Sequence, residues 1–405
     1  MPFTEQANAL LPVTDIEVPG APEKTPEDGI GLCLSGGGYR AMLYHVGALW
    51  RINELGLMHP SQLKRISSVS GGSITAATLG MNWNQLQFDS NTKIASRESF
   101  IQALAKPTRR LAQETIDVSA VGWGIINPFK SISDEIGGYY QKYVFGSKTL
   151  QDLPDSLRIV FNATNVQTGS LFRFSKPYMV DHLIGMWKQP DVPLSKVVAA
   201  SSAFPPFLSP CTLDLNPYQP SELYALGKAE PDIFARNVIL SDGGVYDNLG
   251  LETVWKRFKV VLCSDGGRKM ALDRKPAGDW ALHSRRLIDL LERQVSALRK
   301  RQLIASYLGQ QGIPFRHGAY WGITTAYEDY DPTQLQPQGI VLPLSAAQPV
   351  PSVANMDTRL ATIAEELQEK LINWGYAITD VAIRRYYLKS PDVPLPTLPY
   401  PGAGI

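Results

Sequence analysis

Three short stretches rich in glycine and serine carry residues whose types and spacing could do chemistry. They are SGGGYR at 35–40, SVSGGS at 68–73 and SDGGVYDN at 241–248, and each follows an apolar run. In the second stretch Ser70 stands between a valine and two glycines, where a tight turn after a strand would expose its hydroxyl group. A serine hydroxyl becomes a nucleophile when a nearby base accepts its proton. The pattern fits a catalytic serine, and it also fits an ordinary turn.

The turn itself restricts its neighbours. In a sharp strand-to-helix turn, the residues two before and two after the nucleophile crowd against each other, so both must be small. Ser68 and Gly72 meet this requirement, although glycine is the commoner residue at the first of these positions.

Gly36, Gly37 and Gly38 lie between a predicted strand and a predicted helix. Their N–H groups would then point outward at the positive end of the helix, which suits an anion. The anion could be a bound phosphate or the oxyanion that forms when an acyl carbonyl is attacked. The spacing of the common nucleotide-binding loops is absent. Arg40 would add positive charge there, hold loop carbonyls, or form a surface ion pair.

The identity of the base decides between these hypotheses. The five histidines lack a convincing catalytic setting, so a Ser-His-Asp triad is not indicated; they are His45, His59, His182, His283 and His317. An aspartate acting directly on the serine is the alternative. Asp242 follows a predicted strand and precedes a glycine pair, a position that also suits a turn or a helix cap. A second Asp-Gly-Gly, at Asp265, competes for the role, and Asp247 is interpreted as a helix or turn cap.

The elements that must position these residues alternate between strand and helix. A strand at 30–35, a turn and a helix at 39–55 are followed by a second strand, turn and helix around Ser70. Such alternation favours an α/β fold with a parallel sheet and helices on its faces. Further strands are predicted at 157–164, 171–175, 237–241 and 259–264, and a helix is predicted within 356–388.

Composition limits the class of protein. The 405 residues include 39 Lys or Arg and 38 Asp or Glu, so the net positive charge of a nucleic-acid-binding protein is missing. Three cysteines are too few and too scattered for a disulfide framework or a metal site. The first 28 residues lack the features of a signal peptide, and the longest apolar run is too short to span a bilayer. We expect a cytoplasmic protein.

Several segments differ from the rest of the chain in composition. Residues 268–316 contain eleven Lys or Arg and four Asp or Glu. Within it, residues 284–308 are predicted as an amphipathic helix with Leu287, Leu291, Val295 and Leu298 near one face, which would either dock on anionic lipid or pack into the core. The other predicted segments are an extended leader at 1–28, a lid or cap at 84–150 with an apolar stretch at 120–130, a proline-rich connection at 204–236 and a proline-rich extended tail at 389–405.

The three motifs, in this order, resemble those of the patatin-like lipid acyl hydrolases, a group related to the cytosolic phospholipases. The stretch AASSAFPPF at 199–207 is similar to a further family segment near the active site. The resemblance covers about residues 29–265. It implies a three-layer α/β fold with a central, mainly parallel sheet flanked by helices, and a single domain at 29–388.

The resemblance also implies roles for individual residues. Ser70 matches the nucleophile and Asp242 the aspartate of a Ser-Asp dyad, while Gly36, Gly37, Gly38 and Arg40 match the oxyanion loop. Asp265 is then expected to be structural. The implied protein is a serine hydrolase of the phospholipase A type that needs no metal or organic cofactor.

The expected partners are a phospholipid or other acyl-ester lipid and, transiently, a membrane surface, with no nucleic acid. Two alternatives stay open. One is a phosphate- or nucleotide-binding module that uses the glycine loop without catalysis, and the other is a lipase that a ligand or partner activates.

Overall fold

The computed structural model describes residues 25–116, 132–223, 231–335, 343–345, 348–388 and 395–405. Within these residues, eleven strands form one sheet. The strands are β1 (Glu27–Leu34), β2 (Leu63–Ser68), β3 (Arg158–Asn165), β4 (Ser170–Phe174), β5 (Tyr178–Asp181), β6 (Gly185–Lys188), β7 (Cys211–Asp214), β8 (Glu222–Leu223), β9 (Asn237–Asp242), β10 (Phe258–Asp265) and β11 (His317–Gly322).

Ten α-helical segments accompany the sheet in the described part of the chain. They are α1 (Gly38–Glu54), α2 (Gly71–Met81), α3 (Arg97–Phe100), α4 (Lys106–Leu111), α5 (Ile132–Tyr140), α6 (Leu194–Ser201), α7 (Pro231–Phe234), α8 (Gly244–Asp247), α9 (Trp280–Tyr307) and α10 (Glu365–Ile383). Short π-helical turns join α3 to α4 and extend α5 and α10.

The sheet has a parallel half and an antiparallel half. Strands β11, β10, β1, β2 and β3 are neighbours in that order and run parallel. From β3 onward, β4, β5, β6 and β8 are each antiparallel to their neighbour. The predicted α/β fold with a central, mainly parallel sheet is confirmed, and each predicted strand has its counterpart. The antiparallel extension was not predicted.

Strands β2 and β9 lie end to end along one edge of β3. Strand β2 pairs with β3 up to Ser68 opposite Phe161, while β4 occupies the other edge of β3 from Phe161 onward. Strand β9 pairs with residues 163–165 of β3 and runs antiparallel to it, with Asp242 opposite Ala163. It therefore occupies the edge that β2 has left. The carboxyl ends of β2 and β9 face each other across a gap of about two residues.

Helix α1 is buried on every side, because it packs between the sheet and α10. All residues from Gly38 to Asn53 are buried. A Cβ atom on Gly47 would lie 1.9 Å from the carbonyl oxygen of Ile372, and one on Gly375 would lie 2.0 Å from that of Tyr44. The two glycines thus allow the backbones of α1 and α10 to touch.

The structure describes parts of the other predicted segments. In 84–150, Phe100, Leu104 and Tyr140 belong to the main core, while 117–131, including the apolar stretch at 120–130, lie outside the described residues. The connection 204–236 contains β7, β8 and α7. Of the leader, residues 1–24 lie outside the described part, and β1 begins within the predicted leader at Glu27.

The tail predicted as extended is described from residue 395. It docks on α10, where the Asn373 side-chain amide donates to the carbonyls of Tyr400 and Gly404, both at 2.7 Å. The Asn373 side-chain oxygen accepts from the Tyr400 N–H at 2.9 Å. The described end of the chain is therefore part of the folded body.

Candidate active site

Ser70 occupies the sharp turn between β2 and α2. Its backbone has φ 52° and ψ −119°, a conformation that a non-glycine residue adopts at a cost in strain. Strained turns of this kind between a strand and a helix project a nucleophile out of the sheet. The serine is 8% exposed and lines a cavity of about 140 Å³. The geometry is that of a nucleophile elbow.

The small residues around Ser70 are explained by contacts with the end of β1 and the glycine loop. A Cβ atom on Gly72 would lie 2.3 Å from the carbonyl oxygen of Leu34, and one on Gly71 would lie 2.2 Å from that of Gly38. Ser68 is fully buried, and its hydroxyl donates to Val160 O at 3.2 Å. A serine is tolerated at position 68 because its hydroxyl finds a hydrogen-bond partner there.

Ser201, at the end of α6, connects the two halves of the site. Its carbonyl oxygen accepts hydrogen bonds from the N–H groups of Ser70, at 3.2 Å, and Gly243, at 3.3 Å. Its hydroxyl donates to Asn162 O at 2.7 Å and also accepts from the Ser70 N–H at 3.1 Å. This explains why the serine-rich segment at 199–207 belongs with the other motifs: it fixes the elbow relative to the Asp242 turn.

Asp242 is the last residue of β9 and is 2% exposed. Its Oδ1 accepts a hydrogen bond from Gly244 N–H at 2.7 Å, and its Oδ2 has no partner of standard geometry among the described residues. Burial raises the pKa of Asp242 to about 6, while the Gly244 N–H and the Ser70 hydroxyl act in the opposite direction. The carboxylate thus lies beside the serine with one oxygen available.

The glycine loop comes against the serine at Gly36, where a Cβ atom would lie 3.1 Å from Ser70 Cβ. The Gly36 N–H donates to Asn248 O at 3.1 Å. For the N–H groups of Gly37 and Gly38, no partner is found in the described ranges. Both have positive φ, 144° and 62°, which glycine adopts without steric cost. These two are the N–H groups that an anion could use.

Arg40 lies behind the glycine loop and is not among the residues that line the cavity. Its guanidinium donates to the carbonyl oxygens of Gly266, at 2.9 Å, and Met356. Burial, with Arg268 and Arg293 nearby, lowers the pKa of Arg40 to about 9. Of the three roles open to this arginine, the contacts match that of holding backbone carbonyls.

Asp265 and His45 also support the loop. The Asp265 carboxylate accepts from Tyr320 Oη at 2.6 Å, from Gly267 N–H at 2.8 Å and from Ser35 Oγ at 3.3 Å. His45 bridges Ser35 O and Ser264 Oγ, each at 2.9 Å, and its burial lowers the pKa to about 4. The imidazole is therefore neutral at physiological pH.

Asp247 accepts from the N–H groups of Leu249, at 3.2 Å, and Glu252, at 2.8 Å. These are the contacts of a capping carboxylate.

The cavity at Ser70 combines apolar and cationic side chains. Its described lining residues are Gly38, Ser70, Ser202, Phe204, Phe207, Leu208, Arg285, Thr358, Arg359 and Leu360. The proline-rich connection supplies one wall, and the residues before α10 supply the opposite one. Arg285, from α9, stacks over the Phe207 ring at 5.0 Å.

Glu292 is a titratable neighbour of the site that the sequence motifs did not reveal. It lies on α9, and its Oε1 would be 3.3 Å from a Cβ atom on Gly244, which would itself lie 3.0 Å from Asp242 Oδ1. Burial, and next the Asp242 charge, raise the pKa of Glu292 to about 8. The sequence could indicate Ser201, because it lies in a segment similar to one of the family. It could not indicate Glu292, because only the folded structure shows where α9 packs.

The described residues contain no cluster of His, Cys, Asp and Glu side chains that could hold a metal ion. In the same part of the chain, no helix is long and apolar enough to cross a membrane.

The fold of a solved structure, that of human GIVD cytosolic phospholipase A2, agrees with this architecture. Human GIVD cytosolic phospholipase A2 is 12% identical with a TM-score of 0.51, over 88% of this chain and 59% of that one. VipD from Legionella pneumophila is 15% identical with a TM-score of 0.34, over 89% and 66%. The chain thus spans about three fifths of the human enzyme's length. No curated protein sequence matches. The patatin-like phospholipase family model matches residues 32–255, more than half of the chain, which therefore belongs to this family of lipid acyl hydrolases.

Proposed function

We propose that this protein is a phospholipase of the A type, which cleaves carboxylic ester bonds of phospholipids through a dyad of Ser70 and Asp242 and releases free fatty acid. The observation that carries the proposal is the meeting of β2 and β9 end to end, which brings a strained serine and a buried carboxylate with an available oxygen to one point. Family membership supplies the reaction class.

The chemistry proceeds in two acyl transfers. Ser70 Oγ attacks the ester carbonyl carbon while Asp242 accepts the hydroxyl proton, and the N–H groups of Gly37 and Gly38 stabilise the oxyanion. The intermediate collapses, the ester C–O bond breaks, and the alcohol leaves with the proton from Asp242. Water then attacks the acyl-enzyme with Asp242 again as base, which releases the fatty acid and restores Ser70.

The lining of the cavity supports a lipid ester as substrate. Phe204, Phe207, Leu208 and Leu360 give an acyl chain an apolar surface. Arg285 gives a phosphate group a cation at the same cavity. We also propose that the protein acts in the cytoplasm and contacts membranes transiently.

Substitution of the dyad tests the proposal. Ser70→Ala and Asp242→Asn should each lower kcat/KM for phospholipid hydrolysis by at least about 10³-fold, because each removes a group that takes part in the transition state. Released fatty acid is measured, and a fluorophosphonate probe, mapped to its peptide, should label Ser70 in the unmodified protein.

Asp265→Asn is the matched control, because Asp265 also begins an Asp-Gly-Gly but already accepts three hydrogen bonds. This variant should lose stability and keep fluorophosphonate labelling at Ser70. Normal hydrolysis by the Ser70→Ala protein would refute the dyad.

The non-catalytic, phosphate-binding alternative requires several loop N–H groups to converge on one anion. The Gly36 N–H instead donates a hydrogen bond to Asn248 O. Saturable nucleotide binding by a protein that resists fluorophosphonate would favour that alternative. Full activity of the purified protein alone would argue against the ligand-activated one.

A further inference from the structure

Helix α9 turns its apolar face away from the protein. Trp280, Leu287, Leu291 and Leu298 follow one another at spacings of seven, four and seven residues, which places them on a single stripe. These side chains are 84%, 46%, 64% and 59% exposed. The alternative in which the leucines of this helix pack into the core is therefore wrong for Leu287, Leu291 and Leu298.

Another face of α9 contacts the protein through charged side chains and, near the end of the helix, through the buried Leu303. Arg285 stacks on Phe207, Glu292 lies beside Gly244, and Arg299 pairs with Glu252. A surface helix normally buries its apolar side and exposes its polar side. Between Trp280 and Leu298, α9 instead leaves a row of large apolar side chains in water, which marks an interaction surface.

The segment that carries this stripe is rich in positive charge. Residues 268–316 hold eleven Lys or Arg and four Asp or Glu, whereas the whole chain has a net charge of +1. Arg301, on the same side of the helix as the stripe, is exposed. Apolar side chains next to basic ones are the combination that binds the interface of an anionic bilayer.

The stripe is also close to the cavity. Arg285 lines the cavity from α9 together with Phe207, which is 37% exposed and lies beneath the arginine. The stripe and the cavity thus lie on two sides of one helix, so a bilayer that received the stripe would lie about 10 Å, one helix diameter, from the cavity.

We propose that the outward face of α9, formed by Trp280, Leu287, Leu291 and Leu298 with its basic surroundings, is the surface by which the protein docks on anionic lipid bilayers. The proposal rests on the proposed function, because it names the surface that delivers the substrate to that site.

Vesicle binding tests the surface independently of catalysis. Ser70→Ala protein is mixed with vesicles of phosphatidylcholine alone, or of phosphatidylcholine with phosphatidylglycerol, and sedimented. Phosphatidylglycerol should tighten binding and added salt should weaken it. The double substitution Leu287→Ser with Leu291→Ser should weaken binding roughly tenfold or more, because two half-buried leucines are lost from the interface.

The matched control is Ile233→Ser with Leu395→Ser, which removes two apolar side chains of similar exposure, 63% and 67%, away from α9. It should bind vesicles as tightly as the parent protein. Because all four substituted side chains are exposed, thermal unfolding should stay unchanged, and the single variant Leu291→Ser should show a smaller loss of binding in the same direction.

Hydrolysis by the Ser70-containing protein separates failure of this proposal from failure of the proposed function. The leucine variant should cleave a soluble short-chain ester at the parental rate and cleave vesicle phospholipid more slowly. Cleavage of the soluble ester by Ser70→Ala would refute the dyad and leave vesicle binding as evidence for the surface.

Two results would overturn the docking surface. One is vesicle binding that the leucine substitutions leave unchanged. The other is a dimer, seen by sedimentation velocity, that these substitutions dissociate without any change in vesicle affinity, since the stripe would then be covered by a second copy of the chain.

Discussion

Asp242 has conflicting structural and chemical demands. A general base works best when its pKa is near the working pH, and burial moves this carboxyl in that direction, to about 6. The same burial disfavours the ionised form in the folded protein. A group whose folded pKa is raised contributes stability below its unfolded pKa and loses it as pH rises through the folded value. Ionised Asp242 therefore lowers the stability of the folded protein above pH 6.

The pH profile of the reaction follows from this shift. Since the base must be ionised, kcat/KM should rise with pH, with a midpoint at about 6, and level off above it. Above that midpoint Asp242→Asn, although inactive, should unfold at a temperature equal to or higher than the parent protein, because no charge is buried. Initial rates between pH 4 and 9 and thermal melts at pH 5 and 8 measure both effects; a profile flat through pH 6 would contradict the assignment.

Glu292→Gln serves as the control for that profile. Glu292, with its pKa raised to about 8, is neutral while Asp242 titrates near 6, so its removal should leave the acidic midpoint in place. A midpoint that moved with this substitution would show that Glu292, and not Asp242, governs the activity.

At the residue scale, the resemblance to a family implies Ser70 and Asp242 as a pair, and the structure places their side chains next to each other. The hydrogen bond from Gly36 N–H to Asn248 O cannot be predicted from the sequence, because it joins residues more than two hundred positions apart. The same holds for Glu292, whose neighbour Gly244 lies on another element. Chemical type can be read locally, whereas a hydrogen-bond partner depends on the complete fold.

At the element scale, the contact between α1 and α10 is fastened by a buried ionic group. Asp380 Oδ1 accepts from Arg51 Nε and Arg384 Nε, both at 2.7 Å, and all three side chains are almost fully buried. Arg51 is on α1 and Asp380 on α10. Because α1 begins at the glycine loop, this group holds in place the helix that carries the proposed oxyanion donors.

Asp380→Asn should destabilise the protein by about 3–5 kcal/mol, because it removes the buried carboxylate that the guanidinium groups of Arg51 and Arg384 share. Equilibrium unfolding in urea measures the change. Glu366→Gln, on the same helix, removes the exposed partner of Lys370 and should leave the unfolding midpoint in place. If the two substitutions changed the free energy of unfolding equally, the buried ionic group would stabilise the protein no more than an exposed ion pair does.

The sequence predicted the strands better than their directions. An apolar run such as that of β4 or β9 has the same composition whether its neighbour is parallel or antiparallel. The first two strand-turn-helix units suggested a parallel sheet, and this held as far as β3. Beyond it, Gly169, at φ 69°, allows a tight hairpin between β3 and β4, and the chain reverses without a helix.

At the scale of the whole molecule, the end of the chain completes the core. Tyr400 packs edge-on against Trp50 at 6.1 Å, Arg109 lies over its ring at 4.7 Å, and its backbone pairs with Asn373. The proline-rich composition predicts an extended tail. It does not indicate that the tail packs against α1 and α10.

Deletion of residues 395–405 should therefore lower the melting temperature. It leaves the fully buried Asn373 amide without partners, which alone costs about 1–3 kcal/mol. Tyr400→Ala, which keeps the backbone hydrogen bonds, should lose less. Thermal unfolding of the three proteins gives the order, and a deletion that melts like the full chain would show that the tail is dispensable.

The end-to-end arrangement of β2 and β9 makes strand register a determinant of activity. Residues rise about 3.3 Å along a strand, and alternate side chains point to opposite faces. A slip of β9 by one residue along β3 would therefore shift the Asp242 position by that distance and turn its carboxylate to the other side of the sheet. Inserting or deleting a single residue in β9 is expected to leave the fold intact and still separate the base from the nucleophile. In related chains, the register that places the Asp242 position opposite Ala163 of β3 should accordingly vary less than the length of any loop around the cavity.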